Sequence, residues 1–236
     1  MIQYNGVNSR TLGVIVEQYP VRPIPKRKHE FFSVPGRSGD VIVEEDAWEN
    51  VNQSYDIYLS AERAGLPLVS AQVVRWLNAG GYQRLEDDYN PDIFRLAAFL
   101  GPQDLQNILN SFGRATITFN CMPQRFLKSG ETAVTPESGG TLTNPTGYPA
   151  QPLITVSGSG SGTITVGSKT LSISAITDGM VLDCREHEAY AISGGVVSTL
   201  NTNVSGDYPI LGAGDSAVSW TGGVTGLSII PRWYEL

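Results

Sequence analysis

Polar and apolar positions alternate most regularly at 114–121, RATITFNC. There Ala115, Ile117, Phe119 and Cys121 interleave with Thr116, Thr118 and Asn120. A two-residue period puts one set on each face of a strand. This segment is therefore a half-buried strand, and Met122 and Pro123 are expected to end it. Segments 11–16, 30–34, 40–45 and 51–59 are rich in β-branched and aromatic residues and read as further strands, as do 82–85 and 94–99. Segment 103–110 fits a strand or a short helix. Pro20, Pro23 and Pro25 exclude a central strand between the first two, so 21–28 (VRPIPKRK) is expected to be an extended arm or a sheet-edge loop. The spacing predicts one helix over about 67–78. Val69, Val73, Trp76 and Leu77 fall at i, i+4, i+7 and i+8, which is one apolar face. Pro67 suits its first turn, Gly80 and Gly81 supply a left-handed stop, and the helix should lie on a sheet.

The pattern changes after 128–140, KSGETAVTPESGG, a polar, turn-rich stretch that reads as a boundary. Beyond it short alternating strands recur: LITVSG, GTITVG, TLSISAI, GMVLDC, EAYAIS, GVVSTL, AVSWTG and GLSIIPRW. Turn signals separate them at the spacing of an all-β sandwich or barrel, and no helical period is present. The expectation is a mainly β protein in two domains. Residues 1–130 form a β-rich domain with one helix, and residues 136–236 form an antiparallel β-sandwich.

Charge and composition narrow the function. The chain has 236 residues, 16 basic against 23 acidic, for a net charge of −7. That balance argues against a nucleic-acid or anionic-membrane partner, since both call for a basic patch. No apolar run reaches the ~18–20 residues of a membrane span. The start, MIQYNGVNSR, lacks the basic and apolar regions of a signal peptide, so the chain is expected to be made and kept in a cytoplasm. Cys121 and Cys184 are too few for a disulfide framework and read as small core residues.

Candidate chemistry is sparse. SGSGSGTITVGSKT has the glycine gap of a phosphate loop at Gly162 and Gly167, but Lys169 comes one position late. The alternating TITV between them is a strand rather than a strand-to-helix bend, so two strands joined by glycine turns are expected. Glu44, Glu45, Asp46 and Glu86, Asp87, Asp88 are acidic runs. Adjacent acids on a strand face opposite ways, which favours solvated turns over a catalytic pair. Asp183, Glu186, His187 and Glu188 could ligate a metal, but with one local histidine a hairpin turn explains them as well. His29 stands exposed beside Lys26, Arg27 and Lys28, and no serine elbow has a partnered histidine. The expectation is a non-enzyme with no metal and no cofactor.

The order of short motifs resembles the siphophage distal tail protein family. Tyr4-Asn5-Gly6 and Leu12-Gly13 are similar to its opening, and Val34-Pro35-Gly36-Arg37-Ser38-Gly39-Asp40 to its "vPGRdG" turn. Trp48-Glu49-Asn50 resembles its "y-x-N", Trp76-Leu77-Asn78 its "WL" helix, and Phe119-Asn120-Cys121-Met122-Pro123 its "F-x-C-x-P" strand end. Asn144 to Gly147, Pro152-Leu153-Ile154, Leu182-Asp183, Pro209-Ile210-Leu211 and Ile230-Pro231-Arg232-Trp233 keep the family's spacing. Gly214-Asp215-Ser216 departs from its Gly-x-Asn turn. The resemblance spans nearly the whole chain.

It implies an N-terminal belt domain closing into a hexameric ring. A galectin-like or carbohydrate-module-like sandwich would sit on the outside. Such a ring joins the tail tube to baseplate, tail-fibre or tip proteins in the virion, leaves a channel for DNA, and is assembled in the host cytoplasm. A head-to-tail ring uses two different surfaces per subunit. The arm at 20–28 and the turn Pro35, Gly36, Arg37, Ser38, Gly39 and Asp40 are candidate contacts, because glycines allow close backbone approach and Arg37 can grip a carboxylate. The turn could equally be a simple hairpin connection. The alternative function is a carbohydrate-binding module of a surface adhesin or receptor-binding protein, with a glycoside hydrolase accessory domain as a third reading.

Overall fold

A computed structural model describes residues 1–60, 65–101, 106–109, 112–177 and 179–236, with backbone only at 106–109 and 112. The chain divides into two compact units, Met1–Arg125 with Leu236, and Phe126–Glu235. The polar stretch at 128–140 thus falls inside the second unit. Its backbone is engaged there: the Val134 N–H donates to the Ile229 carbonyl (2.8 Å), and a Cβ on Gly130 would lie 2.5 Å from the Trp233 nitrogen.

In the first unit the strands are β1 (Ile2–Tyr4), β2 (Val7–Asn8), β3 (Val14–Val16), β4 (Arg27–Phe32), β5 (Val41–Trp48) and β6 (Val51–Ser60). Helix α1 (Leu66–Leu77) follows, then β7 (Gln83–Asp87), β8 (Ile93–Phe99), β9 (Gln106–Leu109) and β10 (Phe112–Leu127), whose last two residues belong to the second unit. One sheet runs β2-β1-β7-β8-β10-β6-β3, with β9 also on β10. β1 and β2 turn through Asn5 and Gly6 at φ 50° and 76°, the left-handed pair that a tight hairpin requires.

The alternation at 114–121 survives intact. Ile117, Phe119 and Cys121 face the core, opposite Tyr55, Gln53 and Val51 of β6. α1 buries Val69, Val73, Trp76 and Leu77 on this sheet together with Leu66. Burying each large side chain is worth roughly 1.5–3 kcal/mol. The Tyr4 ring meets Phe119 at 4.8 Å and Trp76 at 6.2 Å.

Three expectations need correction here. β10 does not end at Met122 and Pro123 but continues to Leu127. Its ladder with β6 stops at Cys121, so Pro123 has no donor to supply on that edge. The helix stops at Asn78, at φ −77° and ψ 36°, before either glycine. Only Gly81 turns left-handed, at φ 68°, where the chain reverses into β7. Segment 11–16 is a 3-10 turn, Ser9–Leu12, ahead of a short β3. Gly13 takes φ 71°, and a Cβ there would meet the Ser60 carbonyl at 2.3 Å. Of the ambiguous segment, 106–109 is strand, and 103–105 and 110 lie outside the described residues.

The second unit holds β11 (Gly140–Asn144), β12 (Leu153–Val166), β13 (Lys169–Ile176), β14 (Met180–Asp183), β15 (Glu188–Ser193), β16 (Val196–Thr199), β17 (Val204–Gly206), β18 (Gly214–Ile230) and β19 (Tyr234–Glu235). The antiparallel order is β11-β18-β12-β14-β15-β16, with β13 between β12 and β17. LITVSG and GTITVG, expected as two strands joined by a turn, are one strand, β12. AVSWTG and GLSIIP likewise are one, β18. Their glycines form a facing pair of bulges, not turns. Register shifts between Ser157 and Gly162 opposite Gly222 to Gly226.

The backbones cross there too closely for any side chain. A Cβ on Gly223 would lie 1.7 Å from the Ser159 carbonyl, and one on Gly158 would lie 2.1 Å from the Gly223 carbonyl. Bulges bend strands, and at this bend β12 changes partner, from β14 along 153–156 to β13 along 160–166. The sheet therefore curls around one core, in which Ile154 and Val156 from one half meet Ile164 and Val166 from the other.

Candidate assembly surface

Among the described residues β4 and β5 pair only with each other, as a separate two-stranded sheet. Opposed residues share a face, so Phe31 with Ile42 lies on one face, and Phe32 with Val41 and Glu30 with Val43 on the other. Phe31, Ile42, Phe32 and Val43 are 58%, 55%, 49% and 48% exposed. The hairpin thus carries apolar side chains on both faces and covers neither. Isolated two-stranded hairpins are marginal in water, and natural proteins avoid leaving such strands bare.

The base of the hairpin is held by charge. Arg27 bonds Glu44 (2.7 Å), approaches Asp46 (3.6 Å), and lies 5.7 Å from the Trp48 ring centre. The Glu49 N–H donates to the Lys26 carbonyl (2.8 Å). The acidic run Glu44–Asp46 therefore sits within β5 rather than in a turn.

At the tip, Pro35, Gly36, Arg37, Ser38, Gly39 and Asp40 are all exposed. Gly36 and Gly39 take φ 82° and 83°, and the Arg37 N–H donates to the Val34 carbonyl (3.1 Å). Among the described residues no carboxylate pairs with the Arg37 side chain. The arm before β4 has no regular secondary structure, as its prolines predict. Tyr19, Val21 and Ile24 are 78%, 85% and 87% exposed. It is fixed to the sheet by Gln53, whose amide donates to the Val21 carbonyl (3.0 Å), and by Tyr19 against Tyr89 (4.3 Å).

The apolar pairs on both hairpin faces were missed by reading strands for alternation alone. The signal was the consecutive apolar residues Phe31-Phe32 and Val41-Ile42-Val43 on strands with no room in the core.

The remaining candidates resolve into structural roles. Asp87 accepts from Tyr55 Oη (2.9 Å) and from the Tyr89 and Asn90 N–H groups (3.1 and 2.8 Å), and Asp88 binds the N-terminal ammonium (2.6 Å). Asp183 receives both Arg232 nitrogens (2.7 and 3.0 Å) and the Arg185 N–H (3.0 Å) in the β14–β15 turn. Burial pushes its carboxyl up, but Arg232 and the backbone donors outweigh that and leave it below the ordinary value. His187 stacks on Tyr208 at 5.2 Å, and His29 is half-buried with Nδ1 2.9 Å from the Arg27 carbonyl. No group of three metal-ligating side chains occurs among the described residues. Cys121 and Cys184 are buried free thiols. Burial pushes them up to about 11 and about 12, which leaves them protonated and unreactive at neutral pH. Trp233 is buried, Trp220 half-buried, and Tyr148 stacks on Tyr234 at 5.8 Å.

Several sequence motifs now have physical causes. Asn50 donates to Tyr82 Oη (2.5 Å) and Asn120 Oδ1 (2.6 Å), tying WEN to the end of the FNC segment. Buried Asn144 closes its own turn. It donates to the Tyr148 and Leu211 carbonyls (2.8 and 3.2 Å) and accepts from Thr146. The Asp183–Arg232 pair joins LD to IPRW.

No family model and no curated protein matches the sequence. The fold is similar to a solved structure, SPP1 Dit (gp 19.1), a paradigm of the hub adsorption apparatus in Gram-positive infecting phages, at TM-score 0.76 and 13% identity. The match covers 100% of this chain and 98% of that one. Both units are included, and this chain therefore has the fold of that phage Dit protein from end to end.

Proposed function

We propose that the chain is a distal tail protein. It forms the hexameric hub ring that joins a phage tail tube to its baseplate or tip in the virion, and it catalyses no reaction. The observation that carries this reading is the full-length match in fold to a phage hub protein, at nearly equal chain length. The residues 1–130 act as the ring-forming belt, and the galectin-like sandwich from 136 onward sits outside it. The β4–β5 hairpin supports a head-to-tail contact, because its two apolar faces need cover that its own chain does not give. The turn Pro35–Gly36–Arg37–Ser38–Gly39–Asp40 leads that contact, with Arg37 available to a carboxylate of the neighbour. The ring leaves a channel through which DNA passes without being held.

The test is the mass and shape of the full chain in solution. Sixfold rings are expected in negative-stain images at high concentration or on mixing with tube or baseplate partners. Monomers under both conditions would sink the reading.

A further inference from the structure

Arg95, in β8, is 8% exposed. Its Nη1 is buried and has no hydrogen-bond partner among the described residues. A guanidinium is a charged five-donor group, and a buried charge with an open donor is costly unless something pairs with it. Arg95 lines a cavity of about 30 Å³ beneath the proline-rich arm, and two more arginines, Arg22 and Arg125, line it too. Asp87 is the one carboxylate among the described residues of that lining. Both its oxygens already accept from Tyr55, Tyr89 and Asn90. Arg95 and Arg22 therefore face one carboxylate that is engaged elsewhere. Burial also draws Arg95 below its ordinary pKa, and the charge of Arg22 adds to this.

We propose that this cavity is an anion site for one halide-sized ion, held by the open donor of Arg95 with Arg22 beside it. A cavity of this size takes one or two water-sized atoms, which excludes a nucleotide, a sugar or a phosphate ester. Pro20 and Arg22 come from the arm, and Arg95 and Arg125 from the sheet. The ion would therefore pin the arm to the sheet, beside the point where Gln53 already holds Val21. The site does not depend on the ring reading, since all its walls belong to one chain.

The test uses the full chain in buffers of constant ionic strength, with chloride or bromide exchanged for gluconate, which is too large to enter. The melting temperature should rise with halide concentration, as for any ligand that binds only the folded state. Arg95→Met should abolish that dependence. Arg22→Gln, on the exposed arm and safe for folding, should weaken the apparent halide affinity about tenfold, the loss expected for one charge-assisted hydrogen bond. Crystals grown in bromide should show an anomalous peak beside Arg95. The proposal is overturned by a wild-type protein indifferent to halide, the result expected if water fills the cavity. It is equally overturned by a halide response unchanged in Arg22→Gln, or by an empty cavity in bromide.

Discussion

At the scale of single residues, Trp76 joins the helix to the first strand. Its indole N–H donates to the Tyr4 carbonyl (3.0 Å) while its ring packs edge-on to Tyr4. Trp76→Ala should cost about 3–5 kcal/mol in denaturant unfolding of the first unit, as for other buried aromatic truncations. Unchanged unfolding would mean that the face assignment is wrong. Gly223 makes a sharper case, because a methyl group there would collide with backbone that cannot move aside. Gly223→Ala should destabilise the second unit by roughly 3 kcal/mol, at the upper end for overpacking. Gly226, in the same strand, has nothing within 4 Å of a Cβ and no left-handed φ. Gly226→Ala should leave the thermal midpoint within a degree or two, about the change expected for a few tenths of a kcal/mol. Equal effects at both positions would show that strand propensity, not the backbone crossing, governs this site.

At the scale of elements, the β4–β5 hairpin is the part least explained by its own chain. Its apolar pairs face outward on both sides, where a neighbour in the proposed ring would cover them. Charging them, by Phe31→Glu with Phe32→Glu, should weaken self-association at least tenfold. That is about 1.4 kcal/mol, and buried interface aromatics commonly exceed it. The monomer's melting temperature should hardly change, since neither side chain belongs to the core. Sedimentation velocity across a concentration series reads both states. Undiminished association would remove the hairpin from the ring contact.

At the scale of the whole molecule, charge and sugar recognition are the open properties. In the proposed ring six copies at −7 each would carry 6 × −7 = −42, and DNA binding rests mainly on phosphate neutralisation by Lys and Arg. A ring should show no measurable DNA affinity at physiological salt, and a salt-dependent gel shift in the micromolar range would contradict this. The sandwich invites a lectin reading, but fold alone does not carry function. His187 is stacked on Tyr208, and Trp233 is buried and cannot serve as an exposed stacking platform. Glycan arrays probed with the full chain should give weak or no signal. A reproducible hit lost in Trp220→Ala would establish a sugar site.

The sequence by itself determined the elements whose periodicity and burial agree: the strand at 114–121, the helix with its Val69–Val73–Trp76–Leu77 face, and the hairpin of the acidic turn at Asp183. It also carried the motif order from which the phage fold was read. These are local properties, set by which face of an element must leave water. Tertiary structure alone decided the rest. Whether Gly158 and Gly222 end strands or bulge within them depends on the partner strand across the ladder. The same holds for Pro123, which is tolerated because β6 has already stopped pairing. The buried Arg95 sits among arginines 73 residues behind it and 30 ahead in the chain, at Arg22 and Arg125. No local pattern can signal such a cluster, because only the packing of β8, β10 and the arm brings the three charges to one cavity.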